Sequence, residues 1–372
     1  MQDRKENSSN ESLSPKPRQN GGYIVSPFFD HLFFIWSPIL CLVIGAVLSW
    51  TGLGSLSITL DLPFGAVGEQ AGDVRQPGVI YIFPALVITF SMAHVFAVFF
   101  RSHLNPSIFK LYPVRFIVVP LALIALFAVS ETAWIIGLFL IVCADNYHSS
   151  LQTFGLGRLY DMRAGNSPDV GRNLDFWLAL VIFIGPILSG VTLVDALARL
   201  ERFDEISLHQ IAMFPGWAVA NQLWISAPVL ILGGSYIAFY LFAYWKLWKR
   251  GYRVSPQKVM LYATLAMTSL ISWGFGGFGQ AFLIMESFHS FQYFGIVWWS
   301  EQKNLQQRLR VSSRRGGKGL VLALFLGVSF SFGLWVAVFE HTRFELVLFG
   351  VCELMHYWYD GFIWSVRKKQ VS

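Results

Sequence analysis

The chain is short of charge: Asp, Glu, Lys and Arg make up 13% of its 372 residues. A water-soluble domain of this size carries about 25%, so the surface is not built to face water. Cysteine is scarce too. Cys41, Cys143 and Cys352 all fall inside apolar runs without a pairing pattern, which excludes a disulfide framework and a thiolate metal site. The start, MQDRKENSSNESLSPKPRQNGG, has no apolar core of the signal-peptide kind and reads as a disordered cytoplasmic tail over 1–26. No flavin or nicotinamide motif is visible, and RRGGKG at 314–319 lacks the spacing and preceding strand of a phosphate loop.

What abounds is apolar surface. The chain is 55% hydrophobic and 16% aromatic, with a mean hydropathy of +0.52. Runs of about 20 apolar residues cross a bilayer, and ten such runs are predicted: 28–50, 78–100, 114–130, 133–157, 174–196, 219–248, 257–274, 277–301, 319–339 and 344–366. Lys and Arg gather after every second run, from Arg101, Lys110 and Arg115 to Arg314, Arg315 and Lys318. The intervening loops are acidic or mixed. This bias predicts both termini on the cytoplasmic side and explains the net charge of +6 without any nucleic-acid partner. The expected fold is an all-α, polytopic integral membrane domain over 27–366, closed by a basic tail at 367–372. A bacterial cytoplasmic membrane is the expected location.

Three of these runs carry the same pattern. The fourth has Asp145 and His148 in DNYHSSLQTFG, the eighth Glu286 and His289 in ESFHSFQYFG, and the tenth Glu353 and His356 in ELMH. On a helix, residues three apart share a face at about 5–6 Å, so each motif sets a carboxylate beside an imidazole. At about 1.5 Å per residue, Asp145, Glu286 and Glu353 lie roughly 20–22 Å from the charged ends of their runs, so the pairs share one depth. Buried carboxylates need a partner, and the sequence offers almost no Lys or Arg within the runs. A divalent cation supplies the missing charge. His94 in SMAHVFAVFF adds a fourth helix's donor. His31, His103, Gln152, Gln292 and Asp360 stand as supporting or substrate-positioning candidates. His209 and His341 read as external loop residues.

Imidazole and carboxylate without thiolate suit iron, manganese or zinc. Four histidines and three carboxylates are enough for two divalent ions, with iron expected first. Aromatic stretches such as HYWYDGFIW (356–364) and FQYFGIVWW (291–299) flank the motifs. They favour dioxygen chemistry on an apolar, lipid or isoprenoid-like substrate, with electrons from an external donor where the reaction needs them.

On these seven residues the chain resembles the histidine-rich integral-membrane di-iron oxygenases: fatty-acid desaturases and hydroxylases, alkane hydroxylases and the carotene-cleaving Brp/Blh class. The resemblance is one of design. The HxxxH and HxxHH clusters of desaturases and alkane hydroxylases are absent, and (Asp/Glu)-x-x-His, the pattern of ferritin-like helix bundles, stands in their place. The resemblance implies a membrane-bound metal-dependent oxygenase or desaturase-like enzyme. Three other readings remain open: a proton-coupled transporter, a b-type haem protein, and a metal-dependent transferase or hydrolase of lipid headgroups.

Overall fold

The computed structural model describes residues 20–53, 57–59, 79–190, 213–339 and 341–364. The expected tail residues 1–19 and 367–372, and His209, lie outside the described residues. Residues 20–26, read from sequence as tail, are folded. Ile24 is buried, and Asp30 accepts hydrogen bonds from the backbone N–H of Ile24 (2.6 Å), Val25 (3.0 Å) and Ser26 (3.3 Å).

Ten longer helices stand among the described residues, and each overlaps one predicted run. They are α1 (Ser37–Thr51), α2 (Ile82–Ser102), α3 (Pro113–Val129), α4 (Glu131–Arg163), α5 (Arg172–Ser189), α6 (Gln222–Lys249), α7 (Pro256–Phe275), α8 (Phe278–Arg308), α9 (Gly317–Val338) and α10 (Arg343–Ile363). A two-stranded antiparallel ribbon, β1 (Ser57–Thr59) with β2 (Val79–Tyr81), lies between α1 and α2. Local chemistry sets several helix starts. Ser130 and Ser255 cap α4 and α7 through their hydroxyls, and Thr342 with Glu345 forms a capping box on α10.

Six helical segments are long and apolar enough to cross a membrane: Asn20–Thr51, which ends in α1, and α2, α4, α5, α6 and α9. The chain is thus a helical, multi-pass membrane-type protein. α8 and α10 carry Glu286, His289, Glu301, Glu353, His356 and Asp360 along their length. The helices richest in chemistry are the ones whose hydropathy falls short. α3 is apolar but has only 17 residues.

Packing places the polar helices inside. α2 packs on α8, α9 and α10, while α4 packs on α3, α5, α7 and α10. The α2–α9 contact is backbone to backbone: a Cβ added at Gly333 would collide with the Thr89 carbonyl. Small residues permit such approach where lipid provides no hydrophobic drive between helices. Before α1 the chain makes one turn of π-helix, His31–Ile35. That turn leaves two carbonyls for side chains of other helices: Phe34 O accepts from Gln292 Nε2 (2.9 Å) and Ile35 O from Thr264 Oγ1 (2.7 Å).

Arg101 and Arg158 are corrected from the sequence reading, which counted them as loop charges. Both are buried at helix ends. Arg101 Nη1 donates to Glu301 Oε1 (2.6 Å) and Nη2 to the Ile363 carbonyl (2.9 Å). Arg158 Nη1 donates to Asp161 (2.5 Å) and Asp175 (2.6 Å). Lys258 Nζ reaches the same two carboxylates at 2.8 and 2.7 Å. Tyr240 and Tyr244 donate to Asp175 at 2.9 and 2.7 Å, and Tyr252 donates to Asp161. Burial, with Asp161 beside it, pushes the Tyr252 phenol well above its usual range. So the protein does hold buried cations, and they are spent on Glu301, Asp161 and Asp175.

Candidate metal centre

Each motif histidine projects from a different helix: His94 from α2, His148 from α4, His289 from α8 and His356 from α10. Their relative exposures are 1%, 4%, 1% and 0%, so water does not solvate them. Ring centroids run 5.0 Å from His94 to His289, 5.0 Å on to His148, 4.6 Å to His356 and 4.8 Å back to His94. The four imidazoles therefore close a ring, each roughly edge-on to its neighbours. The Nε2 atoms of His148 and His356 are 3.1 Å apart. Ligand atoms of His94, His289 and His356 lie within 4.8 Å of one another, as do those of His148, His356 and Asp360.

The nitrogens of this ring are short of partners. His94 Nε2, His356 Nδ1 and both nitrogens of His289 are buried without a hydrogen bond. A buried polar atom left unpaired costs about 1–3 kcal/mol, and several in one place is not a stable polar network. Clustered imidazoles, with Asp360 beside them, are the kind of donor set that iron, manganese or zinc takes. The residues fit a metal ion.

Neighbours fix the ring's orientation. His94 Nδ1 lies 2.9 Å from Ser290 Oγ and 3.6 Å from Glu286 Oε1, which itself accepts from Ser91 Oγ at 2.7 Å. That leaves Nε2 as the inward donor of His94, the outer-sphere arrangement that metal histidines use. On the other side, Asp360 Oδ1 accepts from Tyr293 Oη and Trp364 Nε1, both at 2.9 Å, while Oδ2 lies 3.8 Å from His148 Nε2.

The motif carboxylates form a second tier. Asp145, Glu286 and Glu353 precede their histidines by one turn; Glu286 lies in electrostatic range of the other two, and Tyr357 hydrogen-bonds Asp145. The tightest donor groups are three histidines, or two histidines with Asp360, and neither includes a motif carboxylate. A narrow cleft lined by Asp145, Asn146, Ser149, Phe183, Trp273 and Met285 reaches this tier.

The remaining candidates fall elsewhere. Gln152 Nε2 donates to the His289 carbonyl (3.2 Å) and to Gln292 Oε1 (3.0 Å), so the glutamines brace backbone and do not reach the ring nitrogens. His103 Nε2 meets the Phe116 carbonyl (3.2 Å) and its Nδ1 meets Ser102 Oγ (2.8 Å). His31 Nδ1 bonds the Pro27 carbonyl at 2.9 Å. Neither joins the ring. His341 Nε2 bonds the Val336 carbonyl at 2.9 Å and packs edge-on to Phe349.

Sequence reasoning did not single out Ser91, Ser290, Tyr293, Tyr357 or Trp364. The repeated His-Ser step at 148–149 and 289–290 is a signal that could have found Ser290. No protein-family model, curated protein or solved structure matches the chain.

Proposed function

We propose that this protein is a membrane-embedded, metal-dependent oxidoreductase that uses dioxygen on an apolar, lipid or isoprenoid-like substrate. One observation carries the reading: four buried imidazoles from four helices close a ring in which four nitrogens lack protein partners. A ring of this size suits one ion at its centre, where the donor count in the sequence suggested two. Iron is the first choice, since imidazole ligands suit it and it would supply dioxygen binding and reduction when bound.

The chain's own groups do the rest. His94, His148, His289 and His356 hold the ion. Ser290 and Glu286 keep His94 in the tautomer that turns Nε2 inward, and Asp360 lends negative charge beside His148. A divalent ion in a buried site needs that compensation, since an unpaired buried charge costs several kcal/mol. Asp145, Glu286 and Glu353 offer proton-holding groups one turn away. Phe183, Trp273 and Met285 give the narrow cleft beside these acids an apolar side. Electrons, where the reaction needs them, come from an external donor.

The test is oxygen consumption by iron-loaded protein in vesicles containing a fractionated lipid extract, with mass analysis of the products. Uptake that needs both iron and one lipid fraction, with oxygen in the product, supports the reading. Iron-loaded protein that modifies no lipid under oxygen, but hydrolyses headgroups without it, would overturn the reading.

A further inference from the structure

Tyr293 stands under the histidine ring. It is 1% exposed, and its ring centroid lies 4.6 Å from that of His356, 5.7 Å from that of His94 and 6.4 Å from that of His148. Its hydroxyl donates to Asp360 Oδ1 at 2.9 Å. A phenol within van der Waals reach of three proposed metal ligands, with a carboxylate already holding its proton, is arranged to lose an electron and that proton together. Beyond it stands Trp364, whose ring is 6.4 Å from that of Tyr293 and whose Nε1 donates to the same Asp360 oxygen. Arg101 lies over the Trp364 ring, its guanidinium carbon 3.9 Å from the centroid. A fixed cation over an indole stabilises the neutral ring and opposes its oxidation to a cation.

We propose that Tyr293 is a redox-active tyrosine that relays single electrons to the dioxygen site, and that Arg101 keeps the oxidising equivalent from migrating to Trp364. The proposal rests on the metal reading above. In the forward step the phenol O–H bond breaks. One electron would complete the reduction of dioxygen that iron(II) at the histidine site begins, the proton would pass to Asp360 Oδ1, and a neutral tyrosyl would remain. In the return step one electron from a one-electron donor protein, of the iron–sulfur or flavin class, and the proton from Asp360 restore the phenol.

The experiment mixes iron(II)-loaded protein with dioxygen, without lipid substrate or donor, and freezes it at intervals for electron paramagnetic resonance. Wild type should give a tyrosyl signal that narrows when the protein is grown on ring-deuterated tyrosine. Tyr293→Phe should lose it while retaining its iron, and Trp364→Phe should keep it. An iron-loaded wild type with no tyrosyl at any interval, or an unchanged signal in Tyr293→Phe, overturns the relay and leaves the proposed function standing. Wild type that binds no iron overturns both.

Discussion

Two of the buried polar clusters among the described residues are built on opposite rules. Around Asp161 and Asp175, two cations meet two anions, and three tyrosine hydroxyls fill the remaining acceptor positions. Formal charge cancels within the cluster. In the histidine ring, four imidazoles meet one another with no cation among them and with four nitrogens unpartnered. The first cluster pairs its charges internally and ties α4, α5, α6 and α7 together, leaving Arg158 Nε without a partner. We read the second as a place for something positive. Burial of polar groups therefore does not mark a site by itself; a concentration of unpartnered nitrogens is the sharper sign.

Breaking the closed cluster should have the largest effect. Lys258→Met leaves two buried carboxylates with a single cation, and loss of one partner of a buried ion network costs about 3–5 kcal/mol. The thermal midpoint of the detergent-solubilised protein should fall accordingly, with or without metal. Metal removal comes next. A chelator should lower wild-type stability by about 2.7 kcal/mol relative to protein holding metal at 100 times its dissociation constant. The same treatment should leave the melting curve of His289→Ala unmoved.

Smaller still is the loss of an orienting contact. Ser290→Ala removes the hydroxyl against His94 Nδ1 and should weaken metal binding about 10-fold, the low end for groups that orient a ligand. Competition with a coloured chelator measures it, and stability without metal should hardly change. The smallest effect belongs to the surface. Glu131 pairs with Arg343, both about half exposed. Such pairs contribute under about 1 kcal/mol, so Glu131→Ala should shift the melting midpoint only slightly.

Much of this contrast was legible in the sequence, though unevenly. The three-residue spacing of Asp145–His148, Glu286–His289 and Glu353–His356 placed each pair on one helix face, and the equal depth of the pairs placed them at one level. His94 followed from its position near the charged end of its run. Spacing could not tell which member of each pair turns inward. The carboxylates precede their histidines by a full turn, and in the fold that turn separates an acidic tier from the ring. Nor could it find Asp360's partners, because Tyr293 and Trp364 lie on other turns and other segments and look like ordinary membrane aromatics.

The closed cluster was hidden for a different reason. Arg158 and Arg101 entered the loop-charge rhythm while being buried, since a helix end near the interface serves topology and packing alike. Lys258 sits one turn into α7 and was not singled out. Its role depends on Asp161 and Asp175, 97 and 83 residues away. The π turn at His31–Ile35 was not read from the sequence; its Phe34 and Ile35 carbonyls accept from Gln292 and Thr264, which lie 258 and 229 residues away.

The most direct test of the central claim is the metal-to-chain ratio of detergent-purified wild type and His289→Ala, after incubation with iron(II) and desalting. The ring predicts about one ion per chain in wild type and almost none in His289→Ala, with both proteins folded and melting alike once chelated. Wild type that is folded and takes up neither iron, manganese nor zinc would contradict it, leaving the four imidazoles as a polar network with no metal to complete it.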